Sequence, residues 1–212
     1  MITTYKTITS PTQAEFKDKG SRFIAFAYPI RTFADVKKYL DPLKEEHHKA
    51  RHWCYAYQLG KEHFTYRAND DGEPSGTAGL PIYRQIQSFE LTNVLLIVVR
   101  YFGGIKLGAG GLIRAYAGSV AQAVKEIGLV EIKEQVGLGI TLTYPQYQEF
   151  VNFLSAHQLA EFQTDFTDAV FSLIYVDKEQ KEDVIADLID FYHGKVEISD
   201  QGLKEVEVPI QL

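Results

Sequence analysis

Three short stretches hold most of the residues able to do chemistry. In RHWCYAY, His52 and Cys54 lie two residues apart, so a strand places both on one face. A thiol beside an imidazole there is a candidate nucleophile pair, and a buried cysteine is the competing reading. His47 and His48 just upstream bring four possible metal ligands together, but the spacing fits no zinc pattern and a second cysteine is missing. In DDGEPSGTAG, Asp70, Asp71 and Glu73 could hold Mg2+. A turn explains the same residues with fewer assumptions: Asp side chains cap local N–H groups, and Gly72, Ser75 and Gly76 are turn formers.

The third stretch, VVRYFGGIKLGAGGLIRAYAG, spans Val98–Gly118 and holds six of the sixteen glycines. It runs from an apolar strand into an amphipathic helix. The first N–H groups of a helix are unpaired and its dipole is positive there, which suits phosphate or another anion. Gly103, Gly104, Gly108, Gly110 and Gly111 would let an anion approach the backbone, and Arg100, Lys106 and Arg114 add positive charge. The alternative is close packing of helix on sheet through Gly108, Gly111 and Gly118. The spacing is neither GxGxxG nor GxxxxGK[ST]. Tyr101 and Phe102 are expected to pack at the strand end; if exposed, they could stack on bases.

The elements that must position these stretches can be read from periodicity. Residues 21–30 and 92–102 read as inner strands, apolar on both faces. A helix is expected from Thr32 as N-cap, with Phe33, Val36, Leu40 and Leu43 inward and Pro42 either kinking it or restarting it at Asp41. Residues 51–60 and 62–70 read as paired strands, and 78–87 as a short helix. The helix after the glycines should bury Ile113, Tyr116, Ala117, Val120, Val124 and Ile127. Beyond it the order is βαββαβ, the ferredoxin-like split motif. Its first helix is expected to bury Tyr147, Val151 and Leu154, and its second Val184, Leu188 and Phe191. The whole is α+β, with an N-terminal domain over 1–132 and a C-terminal domain over 135–212.

Charge divides the chain in the same place. Of its 212 residues, 1–134 carry 18 Lys and Arg against 14 Asp and Glu, net +4, and 135–212 carry 4 against 14, net −10, giving −6 in all. Two surfaces with different partners are one reading, and two solvated surfaces the other. The longest aliphatic run, VLLIVV, is far short of a membrane span, the N-terminus has no signal-like apolar core, and one cysteine allows no internal disulfide, so no membrane partner and a cytoplasmic location are expected.

Taken together, RHWCYAY, DDGEPSGTAG and VVRYFGGIKLGAGGLIRAY, in this order and spacing, resemble the IMPACT/YigZ family, strongly over residues 15–130. The resemblance implies an N-terminal α/β sandwich like the second domain of a small-subunit ribosomal protein, a superfold shared with elongation factor G and the GHMP small-molecule kinases. It implies a C-terminal domain similar to the last domain of elongation factor G. The resemblance also places eukaryotic members in translational control, competing for an activator of an amino-acid-starvation kinase; those members have an extra N-terminal domain for which the shared motifs leave no room here, so that partner is not carried over. The function expected is a non-enzymatic module that binds RNA or the ribosome and regulates translation, with Arg100, Gly103, Gly104, Lys106, Gly108, Gly110, Gly111 and Arg114 as the anion contact. His52, Cys54, Asp70, Asp71, Gly72, Glu73, Ser75 and Gly76 are motif residues of unassigned role. No catalytic residue, metal or cofactor is expected. The acidic C-terminal domain should repel RNA and face a basic protein instead. The alternative is a GHMP-kinase-like enzyme taking a nucleotide or phosphorylated substrate at the glycine turn, which the missing Ser or Thr disfavours.

Overall fold

The computed structural model describes residues 4–61 and 64–210. The chain runs β1 (Tyr5–Thr7), β2 (Thr12–Asp18), β3 (Ser21–Pro29), α1 (Phe33–Glu46), β4 (His52–Leu59), β5 (Thr65–Asn69), α2 (Gly79–Ser88), β6 (Val94–Tyr101) and α3 (Gly108–Ile127). It continues through β7 (Leu129–Leu142), α4 (Tyr144–Ala156), β8 (Glu161–Phe166), β9 (Val170–Val176), a 3-10 turn at Lys178–Gln180, α5 (Lys181–Phe191) and β10 (Glu197–Ile210). Two compact units result: one reaches Ile132 and takes in the chain again from Val208, and the other is Lys133–Glu207. Glu62 and His63, at the start of the strand expected over 62–70, lie outside the described residues, as do Gln211 and Leu212.

The first unit is built on an antiparallel sheet of order β2-β3-β6-β4-β5. Its central strands are apolar on both faces because both faces are covered. On one face Ile24, Phe26, Tyr55, Leu95, Ile97 and Val99 pack with Val36 and Leu43 of α1. On the other, Phe23, Ala25, Cys54, Ala56, Leu96 and Val98 pack with Ile82 and Ile86 of α2 and with Leu112, Tyr116, Val120 and Val124 of α3. Helix α1 starts at Thr32 as expected: the Asp35 carboxylate accepts from the N–H groups of Arg31 and Thr32, and the carboxyl is held below its usual range by them. It runs unbroken through Pro42 rather than restarting there.

In the second unit β7 pairs with β9, β9 with β8, and β10 with β7, which is the βαββαβ arrangement expected. Val136, Leu138 and Ile140 of β7 and Val170, Ile174 and Val176 of β9 meet Phe150, Phe153 and Leu154 of α4 and Val184 and Leu188 of α5. Thr143 caps α4 in a reciprocal pair with Gln146.

Four inward assignments are corrected. Phe33 (58% exposed) and Val151 (59%) face solvent, as do Ile113 and Phe191 in part. For α3 the reason is the size of its contact residues. Ala115, Ser119 and Ala123 are buried beside Tyr116 and Val120, so small residues bring the helix onto the sheet and turn Ile113 outward.

The glycines are corrected too. Nothing lies within 4 Å of a Cβ built on Gly108 or Gly118, and one on Gly111 meets only the Leu107 side chain at 3.0 Å. Gly108 is required by its φ of +71° instead. The close approach is at Gly103, where a Cβ would lie 1.9 Å from the carbonyl carbon of Gly20. Gly103→Ala should therefore lower stability by about 3 kcal/mol. Gly118→Ala, in open space inside a helix, should raise it by about 0.5–1 kcal/mol. Urea denaturation of the two variants measures this, and shifts of the same sign would contradict the packing described.

Candidate functional site

Sheet register brings the three motifs to one end of the α2/α3 face. His52 of β4 lies opposite Arg100 of β6, Cys54 opposite Val98, and Phe23 of β3 opposite Arg100 on the other side. Directly opposed residues of an antiparallel pair share a face. His52, Arg100 and Phe23 therefore point the same way, at the sheet end where β6 leaves for the glycine turn and the 70–78 loop leads into α2.

That loop folds on its own carboxylates. Asp70 accepts N–H bonds from Gly76 (2.9 Å), Ala78 (3.0 Å) and Gly79 (2.8 Å), and so caps α2. Asp71 accepts from Trp53 N–H (2.7 Å) and, with Gly72, sits at positive φ. Both oxygens of Asp70 are thus taken up within the turn, and one of Asp71 ties the turn to β4. Ser75 is exposed and Gly76 sits at φ +75°. The loop drives Glu73 inward, to 9% exposure.

Glu73 is the centre of a buried network. Its Oε1 accepts from Arg100 Nη1 at 2.6 Å and from the Tyr116 hydroxyl at 2.8 Å. Arg100 Nη2 lies 3.4 Å from Ser21 Oγ, which accepts the Gly103 N–H at 3.2 Å. The guanidinium also sits over the rings of Phe23 (5.4 Å) and Phe102 (5.6 Å). Its Nε is buried without a partner. His52 Nδ1 is 2.8 Å from the Asp71 carbonyl. A carbonyl only accepts, so Nδ1 carries the hydrogen, and Nε2 becomes a donor toward Glu73 Oε1, 3.9 Å away, only when the ring is protonated.

Cys54 is fully buried; its thiol donates to the Asp70 carbonyl (2.9 Å) and lies 3.3 Å from the Tyr116 hydroxyl. Burial pushes the thiol well above its ordinary range, and burial likewise raises the Tyr116 phenol. No hydrogen bond joins Cys54 to His52, so the nucleophile pair is not assembled. The four-ligand cluster is not assembled either: His47 packs on Phe26 across the sheet and bonds the Tyr101 hydroxyl (2.9 Å), and exposed His48 meets the Glu45 carbonyl.

The glycine turn itself stays open. Phe102, Gly103, Gly104, Ile105 and Lys106 are exposed, as are Gly108, Ala109 and Gly110 at the start of α3 and Arg114 one turn on, whereas Gly111 is buried. Leu107 at the N-cap makes no side-chain capping bond, and the Arg114 guanidinium lies 3.6 Å from where a Cβ on Gly110 would be, over the first turn. Phe102, expected in the core, is 42% exposed. Arg100, expected at the anion contact, is instead 5% exposed and held by Glu73. Sequence reasoning missed Ser21 and the role of Tyr116. The signal was present for the second, since a tyrosine at a core position needs a partner for its hydroxyl.

The Impact N-terminal domain family matches residues 19–124, and a domain of unknown function, DUF1949, matches 140–195. The IMPACT family member YvyE of Bacillus subtilis is 33% identical over 98% of this chain and 95% of its own. The IMPACT family member YigZ of Escherichia coli is 29% identical over 85% and 89%. A crystal structure of a hypothetical protein superposes with a TM-score of 0.58 and 27% identity over 93% of this chain and 97% of the other.

Burial of Cys54 sets a direct test. In the native protein the thiol should fail to react with a disulfide reagent over minutes, and one thiol per chain should react in guanidinium. A fast reaction of the native protein would restore the nucleophile reading.

Proposed function

The chain belongs to the IMPACT family, and from that premise we propose that it is a non-enzymatic regulator of translation whose N-terminal domain, 1–132, binds RNA or the ribosome. The observation that carries the reading is the exposed start of α3, where Leu107 at the N-cap offers no capping side chain and Lys106 and Arg114 lie beside it. Unpaired N–H groups, a helix dipole and two cations converge where no bulky side chain shields the backbone. Gly103, Gly104, Gly108 and Gly110 form the floor of this contact, and exposed Phe102 offers a ring for a base. Arg100 acts from beneath, by holding the turn.

The charge of the second domain, 135–212, gives it another partner in this reading, a basic protein, within the cytoplasm. No described helix is long and apolar enough to cross a membrane. The enzyme alternative has less support. The turn carries no Ser or Thr for a metal-bound nucleotide, Cys54 is buried, and Glu73 is taken up by Arg100 and Tyr116.

Charge reversal tests the site. Lys106→Glu with Arg114→Glu should weaken binding of a single-stranded RNA at low salt by more than about tenfold and flatten its salt dependence by roughly 1.4 log units per log unit of salt. Lys37→Glu with Lys38→Glu, on α1, should change affinity by no more than about threefold. Fluorescence anisotropy reads both, and equal losses from the two pairs would remove the turn as a specific contact.

A further inference from the structure

Glu73 touches the two segments that flank the glycine turn. Arg100 is the penultimate residue of β6, two residues before the turn opens at Phe102. Tyr116 lies in the third turn of α3, after the turn has closed. Both donate to one oxygen, Oε1, of one buried carboxylate. A third tie reaches the turn itself, since Arg100 Nη2 meets Ser21 Oγ and Ser21 Oγ takes the Gly103 N–H. Between these ties the turn rests on Gly20 at Gly103 and on the core at Leu107, and three of its residues, Gly103, Gly104 and Gly108, carry no side chain, two of them at positive φ.

We propose that Glu73 is a positioning residue that clamps the glycine turn from both flanks and presets the backbone N–H groups at the start of α3 for their partner. The role of the turn in binding rests on the function proposed above, whereas the clamp itself does not. The orphaned Arg100 Nε agrees with this assignment. A buried donor without an acceptor is costly, and it persists where the surroundings fix the group for another purpose. Here the guanidinium is fixed by Glu73, Ser21 and two rings. Holding a loop in its bound form removes the ordering cost from binding. The charged and titratable groups facing Glu73 are Arg100 of β6, Tyr116 of α3, and His52 and Cys54 of β4.

The test uses the full chain and two variants that each delete one neutral hydrogen-bonding group without stranding a buried charge, Tyr116→Phe and Ser21→Ala. Backbone order parameters of Gly103, Gly104 and residues 105–110 are measured by 15N NMR relaxation, and single-stranded RNA binding by anisotropy. Order parameters at these amides should fall from about 0.85 toward about 0.6, while those of β3, β6 and the rest of α3 stay unchanged. RNA affinity should fall several-fold with Lys106 and Arg114 intact. Glu73→Gln, which keeps an acceptor for Tyr116 but loses the charge, should give the larger effect if it folds. Unchanged order at the turn would overturn the clamp, and so would a loss of order spread evenly over the unit, which is what general core support would produce. A local loss of order in a protein that binds no RNA even as wild type would uphold the clamp and defeat the binding reading.

Discussion

A carboxylate moved out of water loses several kcal/mol of hydration, and a fold keeps one only where enough donors replace it. Glu73 meets that condition with the guanidinium of Arg100 and the hydroxyl of Tyr116, and Arg100 in turn is shielded by the rings of Phe23 and Phe102. Neither charge is tolerable there alone. The 70–78 loop, the end of β6 and helix α3 are therefore tied to a common point, and the hydrogen bonds of Asp70, Asp71, His52 and Cys54 lie around it. The motif residues that looked like a catalytic or metal set are, in this arrangement, the frame around one ion pair.

The frame reaches the surface through backbone contact rather than side chains. The turn after β2, with Lys19 at φ 44° and Gly20 at φ +77°, lies directly against Gly103. Gly79 at the start of α2 also lies close to Asn69, where a Cβ would sit 2.5 Å from its nitrogen. These approaches draw the glycine turn and the start of α2 onto the sheet end, while the residues that follow Gly103 remain in solvent.

Much of the architecture was legible because it is written in local pattern. Runs apolar on both faces marked β3 and β6 as inner strands, Thr32 announced a helix start, and alternating strands and helices set the order of the second unit. Helix faces were less legible where small residues make the contact: Ala115, Ser119 and Ala123 carry little weight in an apolar pattern, so Ile113 was turned the wrong way. The site was legible as segments but not as an assembly. Positions 52, 73, 100 and 116 are far apart in the chain; sheet register joins 52 to 100, and only the fold of the 70–78 loop and the packing of α3 bring in 73 and 116. Arg100 therefore read as a surface cation beside the turn, when the burial of β6 extends to it.

The contact of Gly103 with Gly20 separates what the fold requires from what the surface presents. Gly103 has no room for any larger residue, while Gly104 has open space around it and Ile105 and Lys106 stand in solvent. Exchanging Ile105 or Lys106 should thus have almost no effect on folding, because their side chains make no part of the core. Such a turn is evolvable: its tip can change one residue at a time, while the glycine beneath keeps the backbone in place.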